Sequence, residues 1–388
     1  MRRVVVRPGP EGAVRAGHPW LYSRAVEGVD GAEPGEFVRV VGSGGRVLGV
    51  GYAHPRTTIA VRMLALDDVA VDAALVARRV DAALALRRAV LPADLGAYRV
   101  LNGEGDRLPG VVADRYGDWV VCQFLTAGAA RLAPWVVEAL VERLAPRGVF
   151  ERSEGAVRRE EGLADRRGPL AGAEPPPRLE IVEGGARFLV DVLHGQKTGF
   201  FLDQRESRAR IRALAAGRRV LNAFAYTGAT SVAAGLGGAA HVTSVDSSRP
   251  ALGLAEDAWR LNGLPAERAA FVAADVFDFL RETGERFDLI VLDPPPFVRR
   301  RRDLEPGLRG YKDVNLHAFR RLAPGGFLLT ASCSQHLDRD RFRDVVRAAA
   351  ADAGVAATVV AEAGHPPDHP VALAHPEGEY LKVMLLRG

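Results

Sequence analysis

The chain has 388 residues, 48% of them hydrophobic and 26% charged, enough for two or three domains that each bury a core. Its 52 Lys and Arg against 48 Asp and Glu leave a net charge of +4, which permits a polyanionic partner without requiring one. No apolar run approaches the roughly 18 residues of a membrane span, and two cysteines, Cys122 and Cys333, argue against a disulfide framework or a zinc cluster. A cytoplasmic protein without a metal is the expectation.

Residues 1–65 read as a small β-barrel. The segments Arg2–Arg7, Glu36–Val41, Val47–Tyr52 and Thr58–Leu64 are rich in β-branched residues, and glycine and proline punctuate them. An amphipathic helix is predicted over Asp72–Leu91, stopped by Pro92. Strands at Val111–Ala113 and Trp119–Phe124, a helix over Ala130–Leu144 and a strand at Val149–Arg152 follow. The stretch Leu163–Arg178, rich in proline, glycine and charge, reads as an exposed loop or a domain boundary.

Beyond it the pattern changes. A hairpin at Leu179–Val182 and Ala186–Val192 precedes a helix over Arg205–Ala216. Strands then alternate with helices: strands at Arg219–Phe224, His241–Asp246, Ala270–Ala273, Phe287–Leu292 and Phe327–Ser332, and helices from Thr230, at Arg249–Asn262, Val276–Thr283, Val314–Leu322 and Arg339–Ala351. Strands as uniformly apolar as Leu289-Ile290-Val291-Leu292 are covered on both faces, so this is an α/β domain with a parallel sheet. Two last strands, near Val355–Val360 and Tyr380–Leu386, are expected to pair at one edge. Ligands of such a sheet lie at strand C-termini.

Those ends carry chemistry. The first runs Asn222-Ala223-Phe224-Ala225-Tyr226-Thr227-Gly228, where Gly228 allows close approach of a ligand to a helix N-terminus. The second ends in Asp246, followed by Ser247; an acid there suits ribose hydroxyls. Asp275 ends the third, placed to accept from an adenine amino group. The fourth ends in Asp293-Pro294-Pro295-Pro296-Phe297, a stiff loop able to hold a carboxylate and carbonyls against the edge of a flat base. The fifth ends in Ser332-Cys333-Ser334. Cys333 is either a nucleophile or a small buried apolar residue, whereas Cys122, inside a strand, reads as structural. The cluster His194–Arg205 suits a loop closing over cofactor and base. Arg299–Arg302, Arg309, Tyr311 and Lys312 are either a solvated patch or phosphate contacts.

The stretches GQKTGFFLDQR (Gly195–Arg205), NAFAYTG (Asn222–Gly228), VDSS (Val245–Ser248), DPPPF (Asp293–Phe297), GYKDVN (Gly310–Asn315), ASCSQH (Ala331–His336) and PEGEYLK (Pro376–Lys382) make the chain resemble the bacterial 23S large-subunit ribosomal RNA cytosine-C5 methyltransferases of the RlmI type. HPWLYS (His18–Ser23), NGEGD (Asn102–Asp106) and ERS (Glu151–Ser153) extend the likeness over nearly the whole length. The resemblance implies a PUA-like RNA-binding domain over 1–68, a central α+β domain over 69–178 and a Rossmann-like class I methyltransferase domain over 179–388. It implies S-adenosyl-L-methionine as cofactor, with S-adenosyl-L-homocysteine as product, and 23S ribosomal RNA as partner. The assembly state is left open by the residues, with a homodimer the working expectation.

By the same resemblance Asn222, Phe224, Tyr226, Gly228, Asp246, Ser247, Asp275 and Asp293 hold the cofactor, and Gln196, Phe201 and Gln204 close its pocket. Cys333 is the expected nucleophile and Asp293 its partner at the cytosine edge. Lys197, Pro294, Phe297, Tyr311 and Lys312 are expected to touch substrate. The rival readings are methylation of a guanine nitrogen, which needs no thiol, and a non-catalytic RNA-binding assembly factor.

Overall fold

The computed structural model describes residues 1–388, grouped into two compact units. The first comprises Met1–Leu179, Asp191–Leu202 and Pro367–Gly378; the second comprises Glu180–Val190, Asp203–Pro366 and Glu379–Gly388.

The first unit opens with β1 (Arg2–Val6), α1 (Glu11–Arg15), β2 (Trp20–Tyr22), β3 (Glu36–Gly42), β4 (Val47–Ala53) and β5 (Ile59–Ala65), in a sheet of order β1-β3-β4-β5-β2. The chain leaving β2 returns to the opposite edge. There the Arg7 N–H donates to the Ala25 carbonyl and the Glu27 N–H to the Val5 carbonyl, both at 2.9 Å, around a Val6–Val26 bridge. The two edges are thereby stitched and the sheet curls on itself, enclosing Val4, Val6, Val38, Val40 and Val61. Closure of this kind removes the exposed strand edges that invite aggregation.

Helix α2 (Ala73–Val90) starts at Asp72, whose carboxylate accepts the Leu75 N–H, and covers a second sheet with α3 (Ala127–Leu144). That sheet holds β6 (Ala97–Asn102), β7 (Val111–Tyr116), β8 (Trp119–Phe124), β9 (Gly148–Ser153) and β10 (Arg166–Gly172), in the order β10-β9-β8-β7-β6. Between β9 and β10 lies the short helix α4 (Ala156–Glu160). The Thr126 hydroxyl caps α3 three residues ahead of its expected start. Strand β10 occupies the stretch read as loop or boundary. It is an edge strand with a register shift beside Pro169, the one place in a sheet where proline is tolerated and where apolar patterning is not required. The segment Asp191–Leu202 is tied to this sheet by Thr198 Oγ1, which donates to Asp114 Oδ2 at 2.6 Å, and by Arg152, which donates to the Gly195 carbonyl at 2.8 Å.

The second unit begins with the hairpin β11 (Leu179–Glu183) and β12 (Ala186–Val190) and helix α5 (Arg205–Leu214). Arg208 on α5 grips the Glu183 carboxylate with two bonds of 2.7 Å in the interior. Then come β13 (Arg219–Ala223), α6 (Ala229–Leu236), β14 (His241–Asp246), α7 (Arg249–Leu261), β15 (Ala269–Ala273), α8 (Val276–Glu282) and β16 (Phe287–Leu292). They are followed by α9 (Leu304–Arg321), β17 (Leu322–Ser332), α10 (Arg339–Asp352), β18 (Thr358–Ala363) and β19 (Lys382–Arg387). The sheet order is β15-β14-β13-β16-β17-β19-β18, with β19 antiparallel to both its neighbours and the other pairs parallel. Order reverses between β13 and β16, so a crevice opens at their C-terminal ends. Cores lie on both faces, one around Ile290, Leu328 and Phe342, the other around Val220, Leu289 and Trp259.

Strand β17 starts five residues ahead of expectation, and the boundaries of α9 and β18 differ too. Helix α9 starts ten residues early, because Pro306 falls in its first turn, where no intrahelical N–H is lost. Gly307 then packs so closely that a Cβ would lie 2.4 Å from Val298 Cγ2, which seats the helix under the proline loop. Strand β18 starts three residues late and forms the outer edge, half exposed.

Candidate active site

The crevice between β13 and β16 gathers most of the expected residues in the second unit. After β13 the backbone enters the left-handed region at Phe224 (φ 61°), Tyr226 (φ 48°) and Gly228 (φ 70°). Two aromatic residues in that region are uncommon and cost energy, which the surroundings must hold in place. Asp246 does so: its Oδ2 accepts the Tyr226 N–H and its Oδ1 the Ser248 N–H, both at 2.8 Å. The Ala225 N–H adds a bond of 3.0 Å to the Val245 carbonyl. A Cβ on Gly228 would lie 2.5 Å from that of Ala255 on α7, so only glycine permits this path.

Asn222, expected at the cofactor, is buried at 3% exposure and gives its amide to Ser231 Oγ at 2.8 Å, with Ser231 bonded to Ser244 at 2.7 Å. It works from beneath, joining β13, α6 and β14. Ser247 is exposed beside Asp246. Asp275 is exposed and caps α8, accepting the Phe277 N–H at 2.8 Å with Oδ1. Gln204 is buried, with Oε1 accepting from the Ser207 hydroxyl at 2.7 Å.

Beyond β16 the half-buried Asp293 leads into the proline loop. Cys333, just past β17, is also half-buried, and its Sγ lies 3.9 Å from the Pro294 carbonyl oxygen. Thiol and acid loop thus meet at the C-terminal ends of the adjacent strands β16 and β17. Phe297 packs on Tyr311 at a tilt of 50° with centroids 4.7 Å apart and approaches Phe277 at 5.8 Å, which in turn meets Phe224 at 6.3 Å. An aromatic wall therefore runs from the β13 loop to the proline loop.

Tyr311, expected to touch substrate, has no exposed surface. Its hydroxyl accepts from Ser332 Oγ and shares a proton with Ser334 Oγ, both at 2.9 Å. Burial raises its pKa to about 12, so the group stays a neutral phenol. Ser334 Oγ also accepts the Val298 N–H at 3.1 Å. Tyr311 is a clamp under the Cys333 turn and not a surface contact. Lys312 pairs with Asp352 at 2.7 Å. Gln196, Lys197 and Phe201 belong to the first unit, where the Lys197 ammonium sits 4.8 Å from the Phe201 ring centroid.

Sequence reasoning gave no role to Lys382. It is 2% exposed, and its Nζ donates to the carbonyls of Ser334 at 2.6 Å and Tyr380 at 2.8 Å. A lysine within the apolar run Leu381–Leu386 was the available signal.

The arrangement joins carboxylate acceptors for hydroxyl and amino donors to a close-approach glycine and an accessible thiol. A family model described as S-adenosylmethionine-dependent methyltransferase matches residues 157–386, and a PUA-like domain model matches residues 4–66. The chain is 43% identical to ribosomal RNA large subunit methyltransferase I of Photobacterium profundum, over 96% of either chain. It is 42% identical to the protein of that name from Klebsiella pneumoniae strain 342, over 98% of this chain and 96% of that one. The chain belongs to the large-subunit ribosomal RNA methyltransferase I family. It is an S-adenosylmethionine-dependent methyltransferase. A structure from Streptococcus mutans, described as a methyltransferase of this dependence, shares the fold at TM-score 0.88, with 24% identity over 100% of either chain.

The donor set fits the cofactor of this methyltransferase family. Carboxylates at the ends of β14 and β15, which accept backbone N–H groups, have the chemistry to accept also from hydroxyl and amino donors, and Gly228 packs too closely on α7 for any side chain. No helix of the protein is long and apolar enough to cross a membrane.

Proposed function

We propose that this methyltransferase modifies C5 of a cytosine in 23S ribosomal RNA through a covalent Cys333 adduct, in the cytoplasm and with the PUA-like domain gripping RNA. The names of its relatives support the substrate class. One observation carries the chemistry: a partly accessible thiol stands 3.9 Å from the Pro294 carbonyl, beside Asp293, at the rim where the family binds its methyl donor. A guanine nitrogen has its own lone pair and needs no such sulfur.

The C5 carbon is a poor nucleophile until the ring's conjugation is broken. Cys333, as thiolate, forms a C–S bond at C6, and the displaced electron pair moves to C5. Asp293 holds the cytosine edge at N3 and N4, favouring the charge that develops there. The cofactor supplies an electrophilic methyl on its sulfonium. A base removes the C5 proton, and the C–S bond breaks by elimination, returning the thiolate and leaving 5-methylcytosine. A stacked base cannot reach this rim, so the target is flipped or single-stranded, at a cost of about a few kcal/mol. Phe297 offers a ring for it, and Arg299 and Arg301, both exposed, offer charge to its phosphates. Asp246 and Asp275 would hold ribose and adenine, with Phe224, Tyr226 and Gly228 near the methionine end. Gln204 would close the pocket.

The test is Cys333→Ala with 23S RNA as substrate. It should bind cofactor and RNA normally and transfer no methyl, while the wild type yields 5-methylcytosine. Normal turnover by the variant, or a methylated guanine as wild-type product, overturns the proposal. A homodimer, the working expectation for assembly, is read by sedimentation equilibrium.

A further inference from the structure

Lys382 opens β19 directly opposite Ser332 in the antiparallel pairing with β17, one residue from the thiol. Its ammonium is buried, and the two oxygens it bonds, of Ser334 and Tyr380, are neutral carbonyls. Burial of an ammonium is costly without an opposing charge. The charge that most favours it is an ionised Cys333, ahead of Glu379. The same turn is held from its other side by Tyr311 and by the Val298 N–H.

We infer that Lys382 is a positioning residue for Cys333: it fixes the carbonyl that follows the thiol and furnishes the positive charge against which the thiolate forms. The thiol proton leaves to water, the sulfur keeps its electron pair, and Lys382 keeps its protons. An unassisted thiol is only a few per cent ionised near neutrality, so a neighbouring cation raises the attacking fraction directly. Burial lowers the lysine pKa to about 8, so its charge persists at neutral pH and fades as pH rises past that value. The catalytic consequence rests on Cys333 being the nucleophile proposed above; the pairing of the two groups does not.

The experiment follows alkylation of Cys333 by iodoacetamide against pH, reading the Cys333 peptide by mass spectrometry so that buried Cys122 does not interfere. Lys382→Met should move the thiol titration upward by about one unit or more, slowing alkylation at pH 7 by about tenfold, with the rates converging at high pH. Lys382→Arg should keep the low titration. Methyl transfer by Lys382→Met should fall in parallel, with cofactor affinity unchanged. An unshifted alkylation profile in Lys382→Met that still binds S-adenosylmethionine overturns the inference. Should that variant misfold, Cys333→Ala gives the reciprocal reading. Loss of the thiolate should lower the Lys382 titration, followed by NMR of protein carrying 13C-labelled lysine, and an unchanged titration overturns the inference. If alkylation depends on Lys382 while Cys333→Ala still turns over, the pairing stands and the covalent scheme falls.

Discussion

Replacing Tyr311 with phenylalanine removes one oxygen from the interior and leaves the ring in place. Packing on Phe297 and on Phe342, at centroid distances of 4.7 and 5.5 Å, survives. The lost oxygen makes two bonds of 2.9 Å, to Ser332 and Ser334. Each serine oxygen keeps an N–H that it accepts, Ser332 Oγ from Ser334 at 3.3 Å and Ser334 Oγ from Val298 at 3.1 Å, while the Ser332 hydroxyl loses the acceptor for its own proton. The cost is therefore near the net worth of two neutral hydrogen bonds, about 1–3 kcal/mol together. The loosened turn carries Cys333, and a thiol displaced by about 1 Å slows the chemical step by up to about 10²-fold. Urea denaturation measures the first quantity, and single-turnover methylation at saturating RNA measures the second. A variant with unchanged stability and rate but weakened RNA binding would refute this account and return Tyr311 to a substrate contact.

Gly228→Ala should lower cofactor affinity and stability together, since left-handed backbone costs a residue with a side chain about 1–2 kcal/mol before any clash with Ala255; calorimetric titration and thermal melting read both. Asp246→Asn should weaken cofactor binding by about 10- to 100-fold, because an amide cannot accept both loop N–H groups, and bonds to a charged acceptor are worth about 1.5–3 kcal/mol. Equal affinity would clear Asp246 of that role. Above about pH 8 the folded protein holds Lys382 neutral while the unfolded chain keeps it charged to near its ordinary value of 10.5. The unfolded state then binds more protons, so this residue makes stability rise with pH between those limits. Urea denaturation at pH 8 and pH 9.5 should show that slope in the wild type and lose it in Lys382→Met.

The doubly covered sheet was legible because strands such as Phe287–Leu292 are apolar on both faces and separated by helices of matching length. The site residues at the ends of β13, β14 and β16 were legible for the same reason: topology puts strand ends together whatever the side chains are. What escaped were features set by tertiary context. Strand β10 lies at an edge and needs no apolar face, and the first half of α9 hides behind Pro306 and Gly307. Tyr311 looked like a surface contact because it sits among Arg309 and Lys312. Only packing reveals that its helical face turns inward, with Val314 and Asn315. The buried Asn222, Ser231 and Ser244 likewise carry no sequence signature, since each is common on a surface.

Strand β19, made after β17 and β18, lies between them and not beyond them. A ribosome emitting this polypeptide produces two sheet elements with a slot left vacant until the final one arrives. Lys382 travels on that later strand, so Cys333 is synthesised before the lysine that bonds the Ser334 carbonyl beside it.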